Sequence, residues 1–461
     1  MAIFFGLGSN EGNRNANLQH AVEQLKSNGF EISAISPIVE TPALLPKDAE
    51  PSWNKPFLNC VISGQARWQP SQGLEIVKQI EARLGRRVAE AKTAAMTGAQ
   101  ARAKTQAKKW SPRTIDIDLL IWHDQIVDSR KLTLPHYAIT ERAFVLTPLL
   151  HLQPDLVIPG QNQTVFDLCR TVKPAPLWMG ILNITPDSFS DGGQIPVPDS
   201  ICTSAVLGGR AGDGGDEALL ARIDAMLDEN VQIIDVGAES TGPNAAAVDA
   251  DEEWRRLQPV LNLINQRLRG RCIRPMISID SRHAATLEKA LNHGADMIND
   301  VTGLRDPAIR EIAKVSGCQV VAMHSLSIPA DAKIVLPAGD TAVNQLRDWL
   351  HRNIDRWLDD GLDLNQIIFD PGIGFGKNSL QSFELLQHCN ELKDAGLRLL
   401  IGHSRKSFMS GFTDRQFGQR DLETLGISLA LCQQGVEIIR VHDPVMHIRA
   451  YRGWSHVARM D

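Results

Sequence analysis

"RPMISIDSRHAATLEKALNHGADMINDVT", residues 274–302, reads as a strand, a helix and a second strand. The two flanking runs are short and apolar, as buried strands are, and the Ala and Leu residues between them recur at helical spacing until Gly294. Each run closes on a polar residue, Asp280 in the first and Asn299 in the second. The same grammar extends in both directions from Leu177 onward. "LWMGILNI" and "VQIIDVGA" precede this stretch, and "CQVVAMHS", "NQIIFDPG", "LRLLIGHS" and "VEIIRVHD" follow it. Helical segments such as "DEALLARIDAMLDE" and "AVNQLRDWLHRNIDRWLDDG" separate the runs. Eight strand–helix units over roughly 280 residues predict a (β/α)8 TIM barrel. Asn183, Asp235, Asp280, Asn299, His324, Asp370, His403 and His442 stand at the C-terminal ends of the predicted strands. Packing alone would not favour polar residues there, and the C-terminal rim is where barrels of this kind build active sites.

The first 170 or so residues, by the same period and turn signals, follow another pattern. "AIFFGLGS", "FEISAISPIVET" and "FLNCVISGQARW" read as strands. "NANLQHAVEQLKSN" and "QGLEIVKQIEARLG" read as helices ending at Gly29 and Gly85, and "ERAFVLTPLLHL" as a last helix. Strands not regularly interleaved with helices predict an α+β sandwich, an antiparallel sheet of ferredoxin-like type with helices packed on it. The Pro- and Gly-bearing segment "IPGQNQTVFDLCRTVKPAP" joins the halves. Residues 1–173 and 177–461 are the expected domains, with the boundary near Lys173–Pro176.

Within the first half, "WSPRTIDIDLLIW" (residues 110–122) is a buried strand except for two carboxylates. Alternation sends Ile115, Ile117 and Leu119 to one face and Asp116 and Asp118 to the other, roughly 6.6 Å apart along the strand. A random pair of this kind is more often the solvated face of an edge strand. Arg113 just upstream, and a long basic segment before it, point instead to a metal ion and phosphate. "GLGSN" follows a strand as nucleotide loops do, but it has neither the GxGxxG nor the P-loop pattern. It reads as a tight strand-to-helix turn with Ser9 or Asn10 near the helix start.

Composition limits the function classes. With 43% hydrophobic and 22% charged residues, the 461-residue chain has the makeup of well-cored globular domains. A net charge of −6 argues against general nucleic-acid binding. The seven cysteines are scattered without a CxxC pair, so neither a disulfide framework nor a structural zinc site is indicated. The N-terminus has no basic region, its apolar run is too short for a secretory signal, and no apolar stretch reaches membrane-spanning length. The expectation is a cytoplasmic, soluble protein with neither nucleic acid nor membrane as a partner.

The motifs also carry a resemblance. "GLGSN", "ETP", "FLN", "WSPRTIDIDLL", "LTLPHY" and "ERAFVLTPL" make the first half similar to 6-hydroxymethyl-7,8-dihydropterin pyrophosphokinases. "MGILNITPDSFSDGG", "DVGAEST", "SIDS", "MINDVTG", "DPGIGFGK", "GHSRKS" and "RVHD" make the second half similar to dihydropteroate synthases. The product of the first enzyme is the substrate of the second. The resemblance implies Mg2+ held by Asp116 and Asp118, with ATP as co-substrate. It implies nucleotide contacts at Glu81, Arg86, Arg113, His136 and Tyr137, and pterin contacts at Thr41, Pro42, Phe57, Asn59 and Phe144. In the barrel it implies that Asn183 binds magnesium and, with Thr241, Arg440 and His442, pyrophosphate. Asp280, Asn299, Asp370 and Lys406 would hold the pterin edge, and Phe189 and Ser407 would meet para-aminobenzoate. Catalytic roles fall to Arg86, Arg113, Asp116 and Asp118 in one half and to Lys406 and Arg440 in the other. The resemblance also admits a homodimer through the barrel. Without the motifs, Phe144 would pass for core and His136 for a turn residue after Pro135.

Three departures from the family pattern stand out. Residues 88–109 are longer, Ala-rich and basic, and are expected to form a mobile lid over ATP. Residues 192–216 are long and Gly-rich, as a flexible rim loop would be. "ESTGP" puts Gly242 where the family commonly has arginine, a loss that Arg210 or Arg405 would have to offset. Two alternatives to a bifunctional enzyme therefore stand beside it: an active kinase half with an impaired barrel, and a pterin-binding scaffold without catalysis.

Overall fold

The computed structural model describes residues 2–46, 49–85, 111–184, 214–239 and 248–458. Its contacts divide the chain into two units, Met1–Ala175 with Gly270–Arg274 and Arg452–Asp461, and Pro176–Arg269 with Pro275–Tyr451.

The first unit is built on β1 (Ile3–Ser9), β2 (Glu31–Ile35), β3 (Val39–Thr41), β4 (Phe57–Gln65) and β5 (Asp116–Trp122). All pairs are antiparallel, in the order β2-β4-β1-β5 with β3 also on β4. With α1 (Arg14–Ser27) after β1 and α2 (Pro70–Arg83) after β4, this is the ferredoxin-like βαββαβ arrangement. The single strand expected over "FEISAISPIVET" is instead two, β2 and β3. Pro37 lacks an N–H for the ladder, and at Ser36 the side-chain Oγ, rather than a backbone carbonyl, accepts the Val61 N–H at 2.9 Å.

Alternation along β1 settles the layering. Ile3, Phe5 and Leu7 join Phe30 and Trp122 in one core, where Phe5 meets Phe30 edge-on at 5.0 Å. Phe4 faces the other way, into a core with Leu120 and residues of α3 (Ala143–Leu152) and α4 (Val165–Val172). Helix α4 starts on a capping box, Thr164 and Asp167 each accepting the other's backbone N–H at 3.1 Å. On this second face β1 carries Gly6 and Gly8, which leaves the sheet bare beside the two carboxylates of β5.

In the second unit, all eight predicted runs are strands of a closed barrel. They are β8 (Leu177–Asn183), β9 (Ile233–Gly237), β10 (Met276–Asp280), β11 (Met297–Asp300), β12 (Gln319–Met323), β13 (Ile367–Asp370), β14 (Arg398–Ile401) and β15 (Ile438–Val441). Each strand pairs in parallel with the next, and β15 closes on β8 with Arg440 opposite Met179. Ile233, Ile234 and Val236 of β9 are fully buried, a burial worth about 1.5–3 kcal/mol for each side chain. A two-stranded ribbon of β6 (Val127–Asp128) and β7 (Thr133–Leu134) leads into the His136 segment of the first unit. Among the described residues, no helix is long and apolar enough to cross a membrane.

Candidate functional sites

A cavity of about 320 Å³ opens over the bare face of the first unit's sheet. Its floor follows from strand register. Gly8 of β1 lies opposite Asp116 of β5 on one side and Asn59 of β4 on the other, and Gly6 lies opposite Asp118 and Val61. A Cβ on Gly8 would come within 3.1 Å of Asn59 Oδ1 and 3.4 Å of Phe57 Cδ1, so the glycine gives those two side chains their room. Asn59 Nδ2 donates to Thr41 Oγ1 at 2.9 Å, fixing an amide edge in the cavity wall that Phe57 and Phe144 also line.

Thr41, Pro42, Phe57, Asn59, Arg113, Asp116, Asp118, His136, Tyr137 and Phe144 all line this one cavity. Arg113 Nη1 pairs with Asp116 Oδ2 at 2.8 Å, and Arg142 Nη1 lies 3.9 Å from Asp118 Oδ2. His136 Nδ1 accepts from the Ala138 backbone at 3.3 Å, which orients the ring beside Tyr137. Sequence reasoning gave Arg142 no role, although "ERAFVLTPL" contains it. The structure stacks its guanidinium over Tyr137 and Phe144 at 5.4 and 5.5 Å from the ring centroids. The nucleotide contact expected at Glu81 does not line the cavity. This buried carboxylate accepts the Ile117 backbone N–H at 3.0 Å and so ties α2 to the strand of the two aspartates.

"GLGSN" is structural, but it does not start a helix. The N-cap of α1 is Asn13, whose side chain accepts from Ala16 N at 3.1 Å. Ser9 Oγ instead donates to Thr114 O at 2.6 Å, and Asn10 Oδ1 accepts the Arg113 N–H at 2.8 Å. The motif clamps the approach to β5 and thereby aims Arg113.

The barrel site lies at the strand ends the sequence singled out. Arg440 on β15 donates through Nε to Asp235 Oδ2 and through Nη2 to Asp280 Oδ2, both at 2.7 Å. Asn299 Nδ2 reaches the same Asp235 carboxylate at 3.2 and 3.3 Å. Burial pushes the Asp280 carboxyl up to about 7, with Arg440 pulling it down and Asp235 pushing it up. Burial opposes charge on Arg440 as well, but Asp235 and Asp280 hold it protonated.

On the far side, Asp370 Oδ1 accepts the Gly372 N–H at 2.7 Å. Gly372 has a φ of +64°, and a Cβ there would strike His324 O, so this turn requires glycine. Lys406 Nζ donates to Ile373 O at 2.7 Å and sits over the Phe375 ring. Its removal from water lowers the ammonium to about 8, against the pull of Asp370. Lys377, from "DPGIGFGK", is buried and donates to His324 O and Phe375 O at 3.0 Å, holding this loop from behind.

His442 Nδ1 lies 2.9 Å from Ser404 Oγ. Burial, then Arg405, Arg440, Arg222 and Lys406, keep its imidazole neutral, well below the usual range. Arg405 is engaged by Asp421 at 2.7 and 3.0 Å, and Arg222 donates to the carbonyls of Ile181 and His442. Ser407 opens a short 3-10 helix next to Lys406 and is exposed. His324 and His403 do not join the cluster at Arg440. His324 packs on Trp349, and His403 Nε2 lies 3.1 Å from both Thr424 O and Ser428 Oγ. Arg86, Phe189, Arg210, Thr241 and Gly242 fall outside the described residues, as do residues 88–109 and 192–213.

Comparison with known proteins separates the chain along the same line. The 7,8-dihydro-6-hydroxymethylpterin-pyrophosphokinase family matches residues 4–154, and the pterin binding enzyme family matches residues 179–442. A folate synthesis bifunctional protein of Chlamydia caviae is 33% identical over 475 residues, covering 99% of this chain and 98% of its own. The chain belongs to the bifunctional folate-synthesis family. Among solved structures, a dihydropteroate synthase from Anaplasma phagocytophilum with bound 6-hydroxymethylpterin-monophosphate is 30% identical, with a TM-score of 0.51. It covers 61% of this chain and 99% of its own. A Xanthomonas albilineans dihydropteroate synthase with 4-aminobenzoic acid is 31% identical, with a TM-score of 0.51, covering 61% of this chain and 93% of its own. Membership places a pyrophosphokinase and a dihydropteroate synthase in one folate-synthesis transferase. The impaired-barrel and scaffold readings are not favoured.

Proposed function

We propose that this bifunctional enzyme carries out its two reactions at the two sites just described, on domains 1–173 and 177–461. The first moves the pyrophosphoryl group of ATP to the hydroxymethyl group of 6-hydroxymethyl-7,8-dihydropterin and releases AMP. The second joins the resulting pterin pyrophosphate to the amine of para-aminobenzoate and releases pyrophosphate, giving 7,8-dihydropteroate. The observation that carries the reading is the register across β5, β1 and β4. It lines up a carboxylate, a glycine and an amide on one open face, so a charged ligand and a flat polar ring can lie side by side.

In the first site the pterin lies between Phe57 and Phe144, with Asn59 and Thr41 reading its edge and Pro42 closing the wall. Arg113, Arg86, His136 and Tyr137 take the nucleotide, and Glu81 acts through the backbone of β5. Asp116 and Asp118 are hard oxygen donors on one face of a strand, a set that fits Mg2+. Such an ion, when bound, neutralises the phosphate oxygens during transfer. Arg113 and Arg142, now paired with those carboxylates, are then available to the phosphates.

In the barrel, Asp280, Asn299 and Asp370 accept from or read the donor-rich pyrimidine edge of the pterin, and Lys406 donates to its carbonyl. Arg440 and the neutral His442, with Thr241, take the leaving pyrophosphate, while Ser407 and Phe189 border the aminobenzoate. With glycine at position 242, Lys406 and Arg440 carry most of the positive charge at this rim. Asn183, at the C-terminal end of β8, offers one neutral oxygen that would hold magnesium together with pyrophosphate oxygens and water. A cytoplasmic location and a homodimer through the barrel complete the proposal.

One coupled assay tests it. The full chain receives hydroxymethyldihydropterin, ATP, magnesium and para-aminobenzoate, and AMP and dihydropteroate are quantified separately. Both products are expected. AMP alone would move the reading to an impaired barrel, and neither product would move it to a binding protein.

A further inference from the structure

Arg440 spans two carboxylates that differ in one respect. The Asp280 side chain retains 13% exposure, whereas that of Asp235 retains 0%. Only Asp280 can turn towards a ligand. Asp235, read from sequence as one more strand-end polar residue, meets donors among the described residues: Arg440 Nε at 2.7 Å and Asn299 Nδ2 at 3.2 and 3.3 Å. An ionised carboxylate, which only accepts, suits that position, and an amide would turn an NH2 towards N–H groups. Strand order explains why one residue reaches all three. β9 pairs with β10, which pairs with β11, while β15 lies one strand beyond β8, so Asp235 stands between the strands that carry Arg440, Asp280 and Asn299.

We propose that Asp235 is the positioning residue of the synthase site, holding Arg440 and Asn299 in place while Asp280 exchanges its bond to Arg440 for one to the pterin. The inference rests on the reading of this rim as the pterin and pyrophosphate site. With Asp235 present, Arg440 keeps a carboxylate partner when Asp280 turns away, so the guanidinium stays aimed at the leaving group. Without it, pterin binding at Asp280 would leave the guanidinium with neither of the carboxylates that now hydrogen-bond it, and free to swing.

The test is a double-mutant cycle in the full chain, with kcat and KM for pterin pyrophosphate measured at saturating para-aminobenzoate and folding followed by circular dichroism melts. Asp235→Asn is expected to lower kcat/KM about 30-fold or more, chiefly through kcat, the scale of losing one member of a buried charge-assisted pair. In an Arg440→Ala background the same change is expected to cost less than about threefold, because most of its effect passes through that guanidinium and only the longer bonds to Asn299 remain. Equal losses in both backgrounds would mean a general structural role and would overturn the proposal. Unchanged synthase activity in Asp235→Asn beside a strongly impaired Arg440→Ala would overturn it too, while leaving the site assignment standing. Full activity in Arg440→Ala would instead remove the site assignment itself. If Asp235→Asn does not fold, Asp235→Ser, which leaves room for water, goes through the same cycle with the same criteria.

Discussion

Both units set aspartates against arginines, but they do so in opposite surroundings. Asp116 and Asp118 lie on the open face of a sheet, with side chains 26% and 35% exposed and glycines opposite them. Asp235 and Asp280 lie inside the mouth of a barrel, bridged by Arg440 and largely cut off from water. Exposed charges cost little to leave partly unpaired, because water and salt screen them. The sheet site can therefore afford to wait for its ligands to complete it. Buried charges cannot, so the barrel site is neutralised by its own side chains before any substrate arrives. The first arrangement suits a polyanionic nucleotide that comes with cations. The second suits a flat heterocycle that replaces one internal partner with itself.

If that contrast is right, the largest effect of a single change falls on the open site. Asp118→Ala is expected to reduce AMP formation on the order of 10²–10³-fold, since among the described residues only Asp116 offers another carboxylate to the cavity. Dihydropteroate formation from pre-made pterin pyrophosphate is expected to continue. Calorimetry with magnesium and a non-hydrolysable ATP analogue supplies a second readout, in which the metal-dependent part of the binding should vanish. An Asp118→Ala enzyme that keeps most of its kinase activity would show that the open face does not depend on its carboxylates.

A smaller effect is expected from pH, and only in the buried site. Lys406 is held at about 8, below the usual 10.5, because its ammonium has lost water. Raising pH through that value removes the charge from the folded protein, so synthase activity is expected to fall on the alkaline side. The sign for stability is opposite. Between about 8 and 10.5 the unfolded chain keeps a proton the folded chain has released, so this group adds stability as pH rises through that window. Lys406→Arg keeps the charge and is expected to move the alkaline limb of kcat/KM upward. Rates measured from about pH 6 to 10 decide the matter, and a limb that stays near 8 in the variant would assign it to another group.

The two sites were not equally legible in the sequence. The carboxylate pair of β5 could be placed on one face by alternation, and Arg113 with the basic segment before it pointed that face to phosphate. The eight barrel strands could be read because each is a short apolar run that ends on a polar residue. What stayed hidden were relations between strands. Asp235 and Arg440 are 205 residues apart, and only closure of the barrel brings them together. Arg142 sat inside a recognised motif, yet its stacking on Tyr137 and Phe144 depends on how the start of α3 meets the Tyr137 turn. Glu81 shows the same limit: its bond to the Ile117 N–H joins a helix to a strand 36 residues away, which no local pattern displays.

The smallest expected effect probes the glycine that makes the open face open. At Gly8 a methyl group would approach Asn59 Oδ1 to 3.1 Å and Phe57 Cδ1 to 3.4 Å. Both neighbours are side-chain atoms, and Gly8 lies in a strand within β1, so the fold should tolerate Gly8→Ala with little change in melting temperature. The tolerance has a consequence. To make room, Asn59 must shift by a few tenths of an ångström, away from the position in which it donates to Thr41 Oγ1 at 2.9 Å. That pair and Phe57 are the proposed readers of the pterin, so its KM is expected to rise roughly threefold, a mild case of the sensitivity of bound geometry to misplaced groups. The KM for ATP should stay put, because Arg113 and the two aspartates do not contact the new methyl. A rise in the ATP KM without one for the pterin would reverse the assignment of the two halves of the cavity, and that reversal would undo the division of labour across the sheet.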